Sequence, residues 1–361
     1  MPNIPNWYAS RRKLIKSVGL VSSAAMLAPL VQSLSKHSPE ASTDPAMPAA
    51  FAESTPIAAA GLSPHRVALV STSNRATGVK QAIDLLQPPG FSGKKIFIKP
   101  NYNTGDAAPA STDPVVLETL VQEVQADRPS QISVGDRSGM ATTRTAMEQQ
   151  QVFSLADRYG FTPLVFDELG RDDWQYFPSE GTNWSKGFAI ARPVLSADAI
   201  INACCLKTHR FGGHFTLSLK NTIGMVARTV PGDPHDYMRE LHRSESQRLM
   251  IAEVNRAYRP SLVIIDGVEA FVNGGPDQGD RVNANVMLAS TDRIAADAVG
   301  IAILRMLGTT REVSAGSIWG QTQIRRAADL GLGAINAAQV ELVTGDAASA
   351  RMADKLRPFL S

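Results

Sequence analysis

From about His65 onward, short aliphatic runs alternate with stretches in which apolar residues recur at helical spacing. The runs that read as strands are Arg66 to Ser71, Lys95 to Lys99, Gln131 to Gly135, Pro163 to Phe166, Ala199 to Cys205, Leu262 to Ile265, Val286 to Ala289 and Val340 to Val343. The helical stretches are Gly78 to Leu86, Pro114 to Gln125, Thr145 to Arg158, Glu245 to Tyr258, Asp292 to Leu307 and Gln321 to Leu330, with Asp113, Ser244 and Thr291 placed as caps. Nearly continuous aliphatic strands separated by helices predict an α/β protein, a mostly parallel sheet flanked by helices. The spacing accommodates one domain over 63–345, divisible into lobes at about 63–190 and 191–345 around a central cleft, with 346–361 as a C-terminal tail. No repeat of 20 to 50 residues is present.

Upstream, the pattern changes. Ser10-Arg11-Arg12-Lys13-Leu14-Ile15-Lys16 precedes nineteen uncharged residues, Ser17 to Ser35. This resembles a twin-arginine export signal, S-R-R-x-F-L-K, with Leu14 and Ile15 in place of Phe and Leu. The alternative is an arginine pair before a membrane-spanning helix, but Gly19, Pro29 and six Ser or Gln residues weaken such a span. Residues 1–36 are therefore expected to be an export signal read by the twin-arginine machinery, which passes folded proteins, and 37–62 an Ala/Pro/Ser/Thr-rich linker. Ala50-Phe51-Ala52 fits a small-x-small cleavage site but lies far from the apolar run, so an uncleaved membrane anchor is the other outcome. Either way the expected location is periplasmic or otherwise extracytoplasmic.

Charge then changes the picture. The 361 residues hold 36 Lys+Arg and 34 Asp+Glu, a net charge of +2, but removing residues 1 to 52 leaves 31 basic and 32 acidic residues. The balanced body is not that of a nucleic-acid binder. Two cysteines, adjacent at Cys204 and Cys205, exclude a disulfide framework, a four-thiolate zinc site and an iron–sulfur cluster ligated by this chain alone.

In parallel sheets, ligands collect where strands end. Lys99-Pro100-Asn101, Gly135-Asp136-Arg137-Ser138-Gly139 and Asp266-Gly267 each follow an expected strand, and the Gly274-Gly275-Pro276 turn comes shortly after the last. The densest stretch, Cys204 to His242, holds four of the six histidines. An extended backbone there puts Cys205, Lys207 and His209 on one face. Phe211-Gly212-Gly213-His214 and Lys220-Asn221 follow. Lysines and a histidine on one surface suit an anion clamp with a proton donor. If Lys99, Lys207 and Lys220 converge, their repulsion lowers at least one lysine pKa and makes that amine a base or nucleophile. The bland alternative is solvated loop lysines and a hydrogen-bonded structural histidine.

The ordered set Lys99-Pro100-Asn101, Gly135-Asp136-x-Ser138-Gly139, Asp198-x-x-Ile201-Asn202, Lys207-Thr208-His209, Leu219-Lys220-Asn221-x-x-Gly224, Asp266-Gly267 and Gly274-Gly275-Pro276 resembles the family called domain of unknown function 362, from about His65 to about Leu307. The resemblance implies the fold and the site location, but the family name carries no activity. Its members often carry ferredoxin-like iron–sulfur segments, which implies redox chemistry and a redox partner protein for some of them. This sequence departs there, since it lacks the cysteines.

Other chemistries weighed on the residues are a Cys2His2 metal site at Cys204, Cys205, His209 and His214, a disulfide between the adjacent cysteines, and a hard cation held by Asp136 and Asp266. Alternation along a strand points Cys204 and Cys205 apart. No Walker loop, G-x-S-x-G elbow, H-E-x-x-H or complete dinucleotide fingerprint occurs. Trp174, Tyr176, Phe177 and Trp184 fall in a stretch, Arg171 to Lys186, expected to be an irregular loop packed on the body or a lid. The functional expectation is an exported enzyme acting on an anionic small molecule, its cofactor and reaction class unassigned. Lys99, Lys207, Lys220 and His209 are the catalytic candidates, with Asn101, Asp136, Ser138, Asn221, His214 and Asp266 as ligand-binding candidates. The alternatives are an extracytoplasmic binding or cofactor-delivery protein and a non-catalytic subunit of a redox complex.

Overall fold

A computed structural model describes residues 64–360; the expected export signal and the whole of the expected linker lie outside the described residues. Eleven strands are described: β1 (His65–Ser71), β2 (Lys95–Lys99), β3 (Gln131–Asp136), β4 (Thr162–Val165), β5 (Trp174–Phe177), β6 (Phe188–Ala191), β7 (Ala199–His209), β8 (His214–Thr216), β9 (Leu262–Gly274), β10 (Gly279–Ser290) and β11 (Val340–Val343). Nine form one mixed sheet in the order β11-β1-β10-β9-β7-β2-β3-β4, with β8 hydrogen-bonded to β7 beside this path. The run β9-β7-β2-β3-β4 is parallel throughout, β1 and β11 are parallel, and β10 is antiparallel to both its neighbours. The α/β fold is thus as the periodicity predicts.

Burial explains the aliphatic runs. All eleven residues of β7 are buried, because it lies mid-sheet with helices over both faces. One face packs on Arg293–Met306, a helix buried on nearly every side and capped by Asp292, whose Oδ1 accepts from Ile294 N and Ala295 N at 2.8 Å each. The other face packs on Arg75–Leu86 and Pro114–Ala126, the second capped by Asp113 and opened by Pro114. A third apolar cluster, rich in aromatic side chains, gathers Phe97, Phe166, Trp174, Trp184, Phe188 and Tyr237.

Several expectations need correction. Strands of the two expected lobes interleave, since β1 pairs with β10 and β11 while β2 pairs with β7, so one sheet runs through 63–190 and 191–345 alike. The expected tail is a helix, Ala347–Leu360, anchored by buried Ala353, Leu356 and Leu360. The stretch Arg171 to Lys186 is less irregular than expected: β5 pairs antiparallel with β6, and Trp174 and Trp184 are buried in the third cluster. The caps of two helices sit one or two residues later, at Ser246 and Asp292. The helix expected over Thr145 to Arg158 is two, Thr143–Gln149 and Val152–Tyr159. Among the described residues no helix is long and apolar enough to cross a membrane.

Candidate functional site

The C-terminal ends of β3, β2 and β7, adjacent and parallel, deliver Asp136, Lys99, Lys207 and His209 to one place. Strand ends expose side chains that the helices no longer cover, which is where open α/β sheets bind ligands. Lys220 and Asn221 come from the short helix Ser218–Asn221, whose first N–H groups are held by buried Asp297 at 2.7 Å (Ser218 N) and 3.0 Å (Leu219 N). Together these residues line a cavity of about 450 Å³ with Asn101, Arg137, Arg228, Asp236, Arg239, His242 and Arg243 among its other walls. That volume suits a small molecule.

The lysines are not equivalent. Lys99 Nζ lies 2.6 Å from Asp136 Oδ1 and donates to Pro100 O at 2.5 Å and Asn221 Oδ1 at 3.3 Å. Lys207 Nζ donates to Asn101 Oδ1 at 2.8 Å, to Pro276 O at 3.0 Å and to Ala110 O. Asn101 Nδ2 donates to Asn221 Oδ1 at 2.9 Å, and Asn221 Nδ2 to Asn202 Oδ1 at 2.7 Å. Asp136, Lys99, Asn221, Asn101 and Lys207 therefore form one connected buried network. Burial pushes both ammonium groups below the ordinary lysine range, with Asp136 opposing the shift at Lys99. Three oxygen acceptors around each Nζ match the three N–H bonds of an ammonium, since a neutral amine has only two.

Lys220 Nζ makes no hydrogen bond or ion pair among the described residues. Burial, then the charges of Lys207 and Arg137, lower its pKa to about 7. A side chain starting on Gly213 would place its Cβ 2.6 Å from Lys220 Cε and 3.2 Å from His209 Nδ1, so amine and imidazole flank the same glycine. His209 is buried, and its Nδ1 has no hydrogen-bond partner. Burial, followed by the nearby Lys220 and Lys207, holds its pKa well below the ordinary imidazole value, so the ring is neutral at physiological pH. Thr216 Oγ1, also on the cavity wall, is another buried polar atom without a partner.

Two glycine motifs have a direct steric reason. A Cβ on Gly224 would lie 2.2 Å from Asp136 Oδ1 and 2.7 Å from Lys99 Nζ, so only glycine admits the ion pair there. Gly275, at φ 59°, lies so close to Thr208 that a Cβ would meet its carbonyl oxygen at 2.0 Å; this turn carries Pro276 O to Lys207.

Of the residues singled out in the sequence, Lys99, Lys207, Lys220, His209, Asn101, Asp136 and Asn221 come together on this cavity. Three do not. Ser138 is buried behind the wall, donating to Tyr102 O while its N–H donates to Thr143 Oγ1 at 2.8 Å. His214 faces His209 across the β7–β8 pair and lines a separate, smaller depression with Thr208, Arg210 and Glu312. Asp266 is bound by Arg75 Nε at 2.7 Å, and β9 is separated from β3 by β7 and β2, roughly 14 Å at ordinary strand spacing. Asp136 and Asp266 therefore do not share a cation. Among the described residues, no group of three or more His, Cys, Asp or Glu is placed to hold a metal ion. Cys204 and Cys205 are buried free thiols whose pKa values burial pushes up, that of Cys205 to about 11, a poor donor set for a cluster. No residue of the aromatic stretch Arg171 to Lys186 lines the cavity.

The residues that sequence reasoning missed are the arginines. Arg137 is buried, donating to Val226 O at 2.8 Å, Ser138 O at 2.8 Å and Ile223 O at 3.1 Å. Arg239 and Arg243 lie on the helix Tyr237–Arg243, four residues apart and so on one face, and their guanidinium groups make no hydrogen bond or ion pair among the described residues. The four-residue spacing was the available signal.

By sequence, the chain is 26% identical over 232 residues, 62% of its length, to the thylakoid-associated protein sll1697 of Synechocystis sp. (strain ATCC 27184 / PCC 6803 / Kazusa), of which it covers 68%. By structure, it is similar to the lactate racemase apoprotein from Thermoanaerobacterium thermosaccharolyticum, with a TM-score of 0.41 and 14% identity. That similarity covers 67% of this chain and 57% of the other, so the chain spans less than two thirds of that protein, and a likeness of this size carries no argument about function. The family described as domain of unknown function (DUF362) matches residues 96–302, more than half of the 361. Every lysine of the cavity, the asparagines that join two of them, and the Gly275 turn lie inside that match: the chain belongs to the DUF362 family.

Proposed function

We propose that this protein is an enzyme that binds an anionic small molecule in the cavity at the ends of β2, β3 and β7, and acts on it with Lys220 and His209. The observation that carries the reading is the Lys220 amine without a protein acceptor, on the wall of a cavity that also presents Arg228, Arg239 and Arg243. A structural lysine in such a place finds an oxygen, as Lys99 and Lys207 do.

In this reading, the mouth arginines draw in and orient the anion, because guanidinium groups match carboxylate and phosphate oxygens in pairs. Lys99 and Lys207 act as positioning residues: with all three N–H bonds engaged, they hold Asn101 and Asn221 in place and supply positive potential. Lys220, half neutral near pH 7, is the base or nucleophile, and His209 Nδ1 moves a proton beside it. Asp136 orients Lys99 rather than a metal.

We also propose that residues 1–36 direct export by the twin-arginine machinery, which places this chemistry outside the cytoplasm; Ser10-Arg11-Arg12 and the uncharged run after it support this. A redox partner, if one binds, brings its own cluster, since the two thiols here are buried and protonated.

The test is calorimetric titration of the purified protein with inorganic phosphate, glutarate and 2-oxoglutarate, for wild type and for Arg239→Gln/Arg243→Gln. The reading expects binding of at least one anion, weakened about tenfold or more in the double variant, the worth of one charged hydrogen bond. It also expects affinity to fall with added salt. Absence of anion binding, or binding indifferent to both arginines and salt, contradicts it.

A further inference from the structure

The cavity holds two nitrogen groups without a protein hydrogen-bond partner, Lys220 Nζ and His209 Nδ1, on either side of Gly213. A reaction that only removes a proton needs a single base, and His209 Nδ1, buried and without a partner, already supplies it. A second nitrogen with a free lone pair, on a flexible four-carbon stem, adds something a base does not: the ability to form a bond to carbon. Resting on the anion-binding enzyme reading above, we propose that Lys220 forms an imine with a substrate that carries a carbonyl group together with a carboxylate or phosphate.

Three observations converge on this assignment. Lys220 Nζ donates to no oxygen among the described residues, so no acceptor holds it in the ammonium form, whereas three oxygens each hold Lys99 and Lys207 in that form. Lys220 Cε and His209 Nδ1 flank Gly213, within 2.6 Å and 3.2 Å of the point where a side chain there would begin. Thr216 Oγ1 lines the same cavity with its hydrogen-bonding capacity unused. The surrounding cations, Lys207 and Arg137, and the burial of the amine favour its neutral form, which is the form that attacks.

The step balances without a further reactant. The Lys220 Nζ lone pair forms a C–N bond to the carbonyl carbon, and the C=O π pair moves to oxygen. His209 Nδ1 takes a proton from nitrogen and returns it to that oxygen, giving a carbinolamine. Loss of the oxygen as water, with the second proton of the amine, leaves C=N. The two N–H hydrogens of Lys220 end on the water released, and nothing is oxidised or reduced.

The experiment is reductive trapping of the wild-type protein with sodium cyanoborohydride at pH 7.5, using 2-oxoglutarate and dihydroxyacetone phosphate as probes, followed by peptide mass mapping. Glutarate and inorganic phosphate, which lack the carbonyl, serve as controls. A stable adduct on Lys220 with either probe, absent with the controls and in Lys220→Met, is expected, and the probe that reacts identifies carboxylate or phosphate as the anionic group. Modification confined to exposed lysines, or none at Lys220 with both probes, overturns the proposal; because the mapping is done on wild type, this holds even if Lys220→Met fails to fold. The underlying reading is judged separately: if glutarate or phosphate still binds and the arginine variant weakens it, the anion site stands while the imine falls. If no anion binds, both fall.

Discussion

Lys207 and Lys220 share one cavity wall, and they are opposites. Lys207 Nζ donates to three protein oxygens, whereas Lys220 Nζ donates to none among the described residues; burial first, and the Lys207 charge second, hold Lys220 near neutrality. One lysine is fixed so that the other is free.

Replacing Lys220 therefore has an unusual consequence for stability. Its pKa is about 7 folded and 10.5 for the ordinary side chain, so between these values the unfolded chain holds the extra proton and stability rises with pH. Below pH 7 the cost of the buried ammonium is present in full. Lys220→Met removes that cost: the variant is expected to be ~1–2 kcal/mol more stable than wild type at pH 6 and to lose that advantage by pH 10. Urea unfolding at the two pH values checks this; equal destabilisation at both contradicts it.

The Lys99–Asp136 pair is expected to behave in the contrary way. Asp136→Asn leaves a buried ammonium without its counter-charge and should cost about 3–5 kcal/mol. The double variant Lys99→Met/Asp136→Leu should recover at least half of that, because no charge remains buried. Gly224→Ala should resemble Asp136→Asn, since its Cβ would intrude on both partners. Unfolding free energies of the four proteins decide it.

Asp297 titrates the platform under Lys220. Burial raises its pKa from 3.8 to about 7, against the opposing hydrogen bonds from Leu219 N and Ser218 N. Between those values the folded protein holds the extra proton, so this group makes stability fall as pH rises from about 4 to 7. Asp297→Asn is expected to flatten the stability profile over that window, measured as denaturation midpoint against pH. A profile unchanged by the substitution contradicts the assignment.

Export is separable from catalysis. Residues 1–36 fused to a folded reporter should carry it out of the cytoplasm, and Arg11→Lys/Arg12→Lys should retain it inside, read by cell fractionation.

Much of this was legible in the chain itself. Period-2 alternation along β7 places Lys207 and His209 on the cavity side with no structural knowledge, and the strand-end rule finds Lys99 and Asp136. Asp266 obeys the same rule yet pairs with Arg75, because the identity of a carboxylate's partner depends on strand order, which no local pattern encodes. β9 and β10 run far beyond their aliphatic centres, through Asn273 and Arg281, since two antiparallel neighbours satisfy backbone hydrogen bonds whatever the side chains. The helix Tyr237–Arg243 is too short to stand out by period, so its arginines went unseen. Above all, acceptors decide the roles: only the folded geometry shows that Asn101, Ala110 and Pro276 occupy Lys207 and leave Lys220 unengaged.

The most direct measurement is the pH dependence of Lys220 acylation by trace acetic anhydride, quantified by peptide mass spectrometry with and without saturating inorganic phosphate. Half-maximal reactivity near pH 7, moving upward when the anion is present, is the expected result. Half-maximal reactivity near the ordinary 10.5, indifferent to phosphate, would contradict the account.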